Sequence, residues 1–153
     1  MKFILLPMIF LYALDVGFPS AGEASASSAP VQEKGSKNSA VTDYPSLLKK
    51  LRALGAGAAS VGDVEQPFFS IKGVMIQVHG KDVQIYQYAH AQAAEAEAAP
   101  ISRDGMAVGT RKIFWVEPPH FYKAGRLVVL YVGNDDKVLK TLAAALGQQF
   151  AGQ

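Results

Sequence analysis

The run Arg126-Leu127-Val128-Val129-Leu130-Tyr131-Val132 constrains this chain more than any other segment. After Arg126 it is apolar at both parities. Successive side chains of a strand point to opposite faces, so a run of this kind must be covered on both sides, as a central strand is. A chain of 153 residues has room for one core with appendages, and hardly for two. Half of its residues are hydrophobic and 18% are charged, a balance that folds rather than stays disordered.

Neighbours for that strand are legible on its N-terminal side. Residues 68–78 read FFSIKGVMIQV, where Val74, Ile76 and Val78 alternate with Met75 and Gln77. The turn His79-Gly80-Lys81-Asp82 leads into a second strand, Val83 to Tyr88, and the two make a hairpin. Residues 89–99 are alanine-rich and predict a helix that Pro100 ends. Residues 110–116, TRKIFWV, read as a strand again, and residues 117–125, EPPHFYKAG, as a wide loop before the central run. Gly133 to Asp136 then opens a helix, with Asn134 able to cap it and Val138, Leu139, Leu142 and Leu146 as its stripe. Upstream, Leu47, Leu48, Leu51 and Leu54 predict a further helix, with Pro45 in its first turn and Gly55 at its end. GAGAASVG, residues 55–62, follows as a connector. The predicted class is α+β. A four-stranded antiparallel sheet is built from two strand–strand–helix units, 68–99 and 110–147, with helices on one face and an extra N-terminal helix. That order is a circular permutation of the ferredoxin-like βαββαβ arrangement.

The N-terminus reads as an address. Lys2 precedes a twelve-residue apolar run, Phe3 to Leu14, that Asp15 interrupts. A spanning helix needs about 20 apolar residues. Ala24-Ser25-Ala26 supplies the small-x-small pattern that a signal peptidase accepts, with cleavage after Ala26 or Ala24. Residues 1–26 are therefore expected to be a signal peptide. Residues 27–42, rich in Ser with few large apolar side chains, are expected to be a flexible linker. The single domain then covers 43–153. No later apolar run is long enough to span a bilayer, so no transmembrane helix is expected after cleavage. The expected location is periplasmic or extracellular.

Several chemistries are excluded. The chain has no cysteine, which removes disulfides, thiolate zinc sites, iron–sulfur clusters, a cysteine nucleophile and a lipoprotein anchor. A formal net charge of +2 without a concentrated basic face argues against nucleic acid. Lys49, Lys50 and Arg52 read as a solvated helix face. The glycines of residues 55–62 lack both Rossmann spacing and a Gly-Lys-Ser/Thr ending. No G-x-S-x-G elbow is present. Of the three histidines, His79 falls in a tight turn and His90 opens the alanine-rich helix, and neither has a ligand partner at metal spacing. Neither a metal nor a cofactor is expected.

His120 stands apart. Glu117-Pro118-Pro119-His120-Phe121-Tyr122-Lys123 joins a rigid diproline to two aromatics and three ionisable groups. The plainer reading has Phe121 and Tyr122 folding back from a loop onto the core. The sharper one has the segment recognise a ligand. Acid–base chemistry would need His120 paired with Glu117 or Asp104. Phe69, Tyr86, Tyr88, Phe114 and Trp115 lie on predicted strands, and alternation prevents all of them from facing the helices. An aromatic patch on the uncovered sheet face would then mark a dimer interface or a ligand surface. The expected binding residues are His120, Phe121, Tyr122, Tyr86, Tyr88 and Trp115.

Gln66-Pro67-Phe68-Phe69, Ile101-Ser102 with Asp104-Gly105, Pro118-Pro119-His120-Phe121-Tyr122 before Leu127 to Gly133, and the ending Leu146 to Gly152 resemble a group of small exported bacterial proteins of unknown function. The resemblance covers about residues 45–152. It implies export and a single domain, and carries no catalytic residues. The function expected is a non-catalytic binding or interaction module of the bacterial cell envelope. Its expected partners are a second copy, another envelope protein or a small apolar ligand. The alternative is a small hydrolase or acid–base enzyme using His120.

Overall fold

The computed structural model describes residues 40–153. The expected signal peptide, and the expected linker up to residue 39, lie outside the described residues. The fold proper begins before Asp43, inside the expected linker: Val41 is buried, and the Thr42 carbonyl accepts from the Arg126 N–H at 3.0 Å.

Helix α1 spans Tyr44–Ala53. Its N-terminal N–H groups have no helical partner, so Asp43 and Ser46 supply one. The Asp43 carboxylate accepts from the Ser46 N–H, and the Ser46 hydroxyl oxygen accepts from the Asp43 N–H, both at 3.0 Å. Leu47 and Leu51 are fully buried, whereas Leu54 caps the C-terminus and is exposed. Strand β1, Ala59–Val64, replaces the expected connector. Its residues are small and almost all exposed, so no apolar pattern announces it. Backbone hydrogen bonding to a neighbour alone makes it a strand, at the edge, with an irregularity between Ser60 and Gly62.

Strands β2, Gly73–Val78, and β3, Lys81–Gln87, form the expected hairpin, with β2 starting later than residue 68 because 67–72 turn. Both central turn residues have positive φ, 51° at His79 and 77° at Gly80, which matches the twist of the flanking strands. Helix α2 spans Ala91–Ala98, and His90 caps it by accepting the Ala93 N–H on Nδ1 at 3.1 Å. The expected strand 110–116 shrinks to a two-stranded ribbon, β4 (Ala107–Val108) with β5 (Arg111–Lys112).

The expected loop 117–125 is mostly strand β6, Pro119–Ala124, paired with β7, Leu127–Val132, across Gly125-Arg126. Proline does not exclude a strand here. At the first position of a strand its missing N–H is no loss, and its carbonyl still accepts from Gln153. Helix α3, Asp136–Leu146, is capped by Asp135 rather than Asn134, and β8, Ala151–Gly152, closes the chain against β6.

The sheet runs β1-β2-β3-β7-β6-β8, antiparallel at every ladder. Six strands therefore replace the expected four. Helices also lie on both faces, not one. Leu47, Leu51, Val138 and Leu142 of α1 and α3 pack with Ile76, Val83, Ile85, Val129 and Tyr131. Ala94 and Ala98 of α2 pack with Tyr86, Tyr88, Phe121, Val128 and Leu130 on the other side. With α2 and α3 opposed, the expectation of a permuted ferredoxin-like layout with both helices on one face fails as well. The central strand β7 is covered on both faces, as its composition requires. The α+β character holds.

Candidate functional site

Alternation along β6 sends His120 and Tyr122 toward α3 and Phe121 toward α2. After α3 the chain turns at Gly147 and comes back beside β6. The Phe150 N–H donates to the Phe121 carbonyl at 2.9 Å, and the Gln153 N–H donates to Pro119 at 3.2 Å. Between this return, β6 and α3 lies an open cleft of about 460 Å³. Leu139 and Ala143 give it an apolar wall, Gln148, Gln149 and Gln153 an amide rim, and Asp136 and Lys140 a charged margin. His120 and Tyr122 also line it.

His120 is 4% exposed, and no other described polar or charged residue is classed as buried. Its Nδ1 stands 2.7 Å from Gln149 Oε1. The Gln149 amide is oriented by its own NH₂, which donates to the Gln153 carbonyl at 3.4 Å. Oε1 can only accept, so Nδ1 carries a proton, and in the tautomer with one ring proton Nε2 is left with its lone pair. That Nε2 is buried and has no hydrogen-bond partner. The ring stacks on Tyr131, centroids 6.0 Å apart and planes 22° apart. Tyr131 is held in turn by the Asp135 N–H, which donates to its hydroxyl at 3.2 Å. Burial, and then the neighbouring Tyr131, push the Tyr122 hydroxyl above the usual phenol range.

The carboxylates expected to work with His120 are elsewhere. Asp104 accepts from the Ser102 hydroxyl at 2.6 Å and from the Met106 N–H at 3.0 Å, and these bonds hold its carboxyl below the usual range. Glu117 borders a separate polar depression with Lys81, Asp82 and Tyr131. Gln149, not a carboxylate, orients the imidazole. An amide neither takes up a proton at neutral pH nor stabilises an imidazolium as a carboxylate does. The pairing that an acid–base enzyme needs is thus missing from both expected positions.

The expected aromatic binding residues divide in the same way. Tyr86, Tyr88 and Phe121 are buried together against α2, and Phe69 joins them. Desolvation raises the hydroxyls of Tyr86 and Tyr88 well above the usual phenol range. Trp115 is partly buried over the same cluster, and its Nε1–H donates to the Gly105 carbonyl at 2.8 Å. The sheet face expected to be bare is covered by α2 and the segments around Phe68 and Trp115, so these aromatics are core. His120 and Tyr122 keep a place in the cleft.

Gln149 was not foreseen. It is 29 residues from His120, and nothing in Gly147-Gln148-Gln149 marks an amide as a ring-orienting group. Among the described residues no three His, Cys, Asp or Glu side chains gather as metal ligands, and no helix is long and apolar enough to cross a membrane. No family model matches the chain, and neither does any curated protein or solved structure.

Proposed function

We propose that this chain is an exported, non-catalytic binding module of the bacterial cell envelope, and that its ligand sits in the His120 cleft. The observation that carries the reading is the buried, unpartnered Nε2. An unsatisfied buried acceptor costs about 1–3 kcal/mol, and folded proteins keep few of them. A ligand that lays an apolar body on Leu139 and Ala143 and, as the imidazole tilts toward the cleft, donates one hydrogen bond to Nε2 would offset that cost. The ligand class is therefore a small molecule with an apolar body and an O–H or N–H donor. Export rests on the order of charge, apolar run and small residues at the N-terminus.

Cyclohexanol and its methyl ether separate the two halves of this idea. Saturation-transfer NMR is expected to detect cyclohexanol on the protein, to detect the ether less, and to lose the alcohol signal in His120→Phe. Equal signals from alcohol and ether, or an unchanged alcohol signal in His120→Phe, would remove His120 from the site. Export is checked separately. The intact mass of protein from the periplasm should correspond to a chain starting at Ser27 or Ser25, and a full-length cytoplasmic product would refute it.

A further inference from the structure

Phe114 and Val116 are 91% and 96% exposed, the most exposed of the large hydrophobic side chains described. Exposure alternates along the segment. Lys112, Phe114 and Val116 are exposed, whereas Ile113 and Trp115 are partly buried. This is the period of an extended chain with one side turned inward. The inward side is pinned. Trp115 donates to the Gly105 carbonyl and meets Phe68 and Phe121 edge-on, and the Ile113 N–H donates to the Met106 carbonyl at 2.9 Å. Arg111 adds a bond from Nη1 to the Pro67 carbonyl at 2.8 Å. Phe114 and Val116 cannot turn inward without expelling Trp115. They are held out on a fixed support.

The charge around this row has one sign on its N-terminal side. Residues 105–116 hold Arg111 and Lys112 and no acidic residue, and both cations are exposed. Past Val116, the depression that it borders holds Asp82, Glu117 and Asp135 against the single cation Lys81.

We propose that Lys112, Phe114 and Val116 dock the protein on an anionic lipid surface. The two apolar side chains enter the boundary between headgroups and acyl chains, and Lys112, on the same side of the segment, faces the lipid phosphates. The size of the row favours a bilayer over a protein partner. Two side chains offer on the order of 300 Å², whereas a stable protein interface buries about 800 Å² on each partner. Interfacial docking needs only a few apolar groups with adjacent cations, and it is reversible.

The chain has a single tryptophan, Trp115, inside the docking segment, and its fluorescence reports locally. Protein starting at Ser27 is mixed with phosphatidylglycerol vesicles carrying brominated acyl chains, and with phosphatidylcholine vesicles carrying the same chains. Quenching of Trp115 is expected with the anionic vesicles. It should fall about fivefold or more in Lys112→Glu, and likewise in Phe114→Ser/Val116→Ser. The apolar stretch Phe3 to Leu14 is left out, so it cannot attach the protein to either vesicle. The proposal is overturned by an unquenched Trp115, by equal quenching in the two vesicle types, or by undiminished quenching in the variants. It is also overturned if the protein dimerises through this row, seen as a doubled mass in light scattering that Phe114→Ser/Val116→Ser abolishes. If that double variant melts early, Lys112→Glu at a fully polar position carries the test.

Discussion

Gly125 sits at φ 54°, in the left-handed region, and a Cβ there would stand 2.5 Å from both the Cα and the carbonyl oxygen of Thr42. Turn conformation and close packing thus both require glycine. Gly125→Ala is expected to lower unfolding free energy by about 2 kcal/mol or more, measured by urea unfolding, and a change under about 0.5 kcal/mol would refute the packing described. His120 makes the opposite kind of prediction. Its Nε2 is already unsatisfied, so His120→Phe removes a cost as well as a bond, and the freed Gln149 is only partly buried and can bond water. Gln149→Ala instead leaves the Nδ1–H without its acceptor, at about 1–3 kcal/mol. Gln149→Ala should therefore destabilise more than His120→Phe, and the reverse order would mean that the cleft stabilises the unliganded fold. His120 was legible in the sequence because the diproline and aromatics singled it out. Its partner was not, because a side-chain hydrogen bond across 29 residues leaves no local trace.

At the scale of elements, two local turns depend on carboxylates. The Ser46 hydroxyl, and after it the Ser46 N–H, hold Asp43 below the usual carboxyl range, and Arg126 adds to this. Asp104 is lowered by Ser102 and then Met106. The folded state thus releases these protons more readily than the unfolded chain, whose value is near 3.8. Their stabilisation is present above that value and is lost as pH falls through and below it. The fall in melting temperature between about pH 5 and pH 3 should be smaller in Asp43→Asn/Asp104→Asn than in the parent, since asparagine still caps but does not titrate. An unchanged acid limb would remove both carboxylates from the account. Helices and the β2–β3 hairpin were readable because their signals are local: a cap, a stripe, a two-residue turn. Strands β1, β6 and β8 were not. β1 has no apolar face, β6 begins with proline, and β8 is too short to carry a pattern.

Across the whole molecule, the sheet is protected unevenly. β2, β3, β7 and β6 each have a partner on both edges, whereas β1 is an exposed edge and β4–β5 a separate ribbon. Amide exchange should be slowest in β3 and β7 and fastest in β1 and the β4–β5 ribbon, read by mass spectrometry of peptic fragments. Protection of β1 equal to that of β3 would place a further partner on that edge. The amino-acid sequence by itself determined one α+β core, a doubly covered central strand, the main hairpin and the three helices, because these follow from periodicity and capping within a few residues. Tertiary structure alone decided that the sheet has six strands, that α2 and α3 lie on opposite faces, that Phe69, Tyr86 and Tyr88 are core while Phe114 is exposed, and that His120 meets an amide instead of a carboxylate. Those outcomes depend on which distant segments share a face or an edge, and neighbouring residues along a chain carry no record of that.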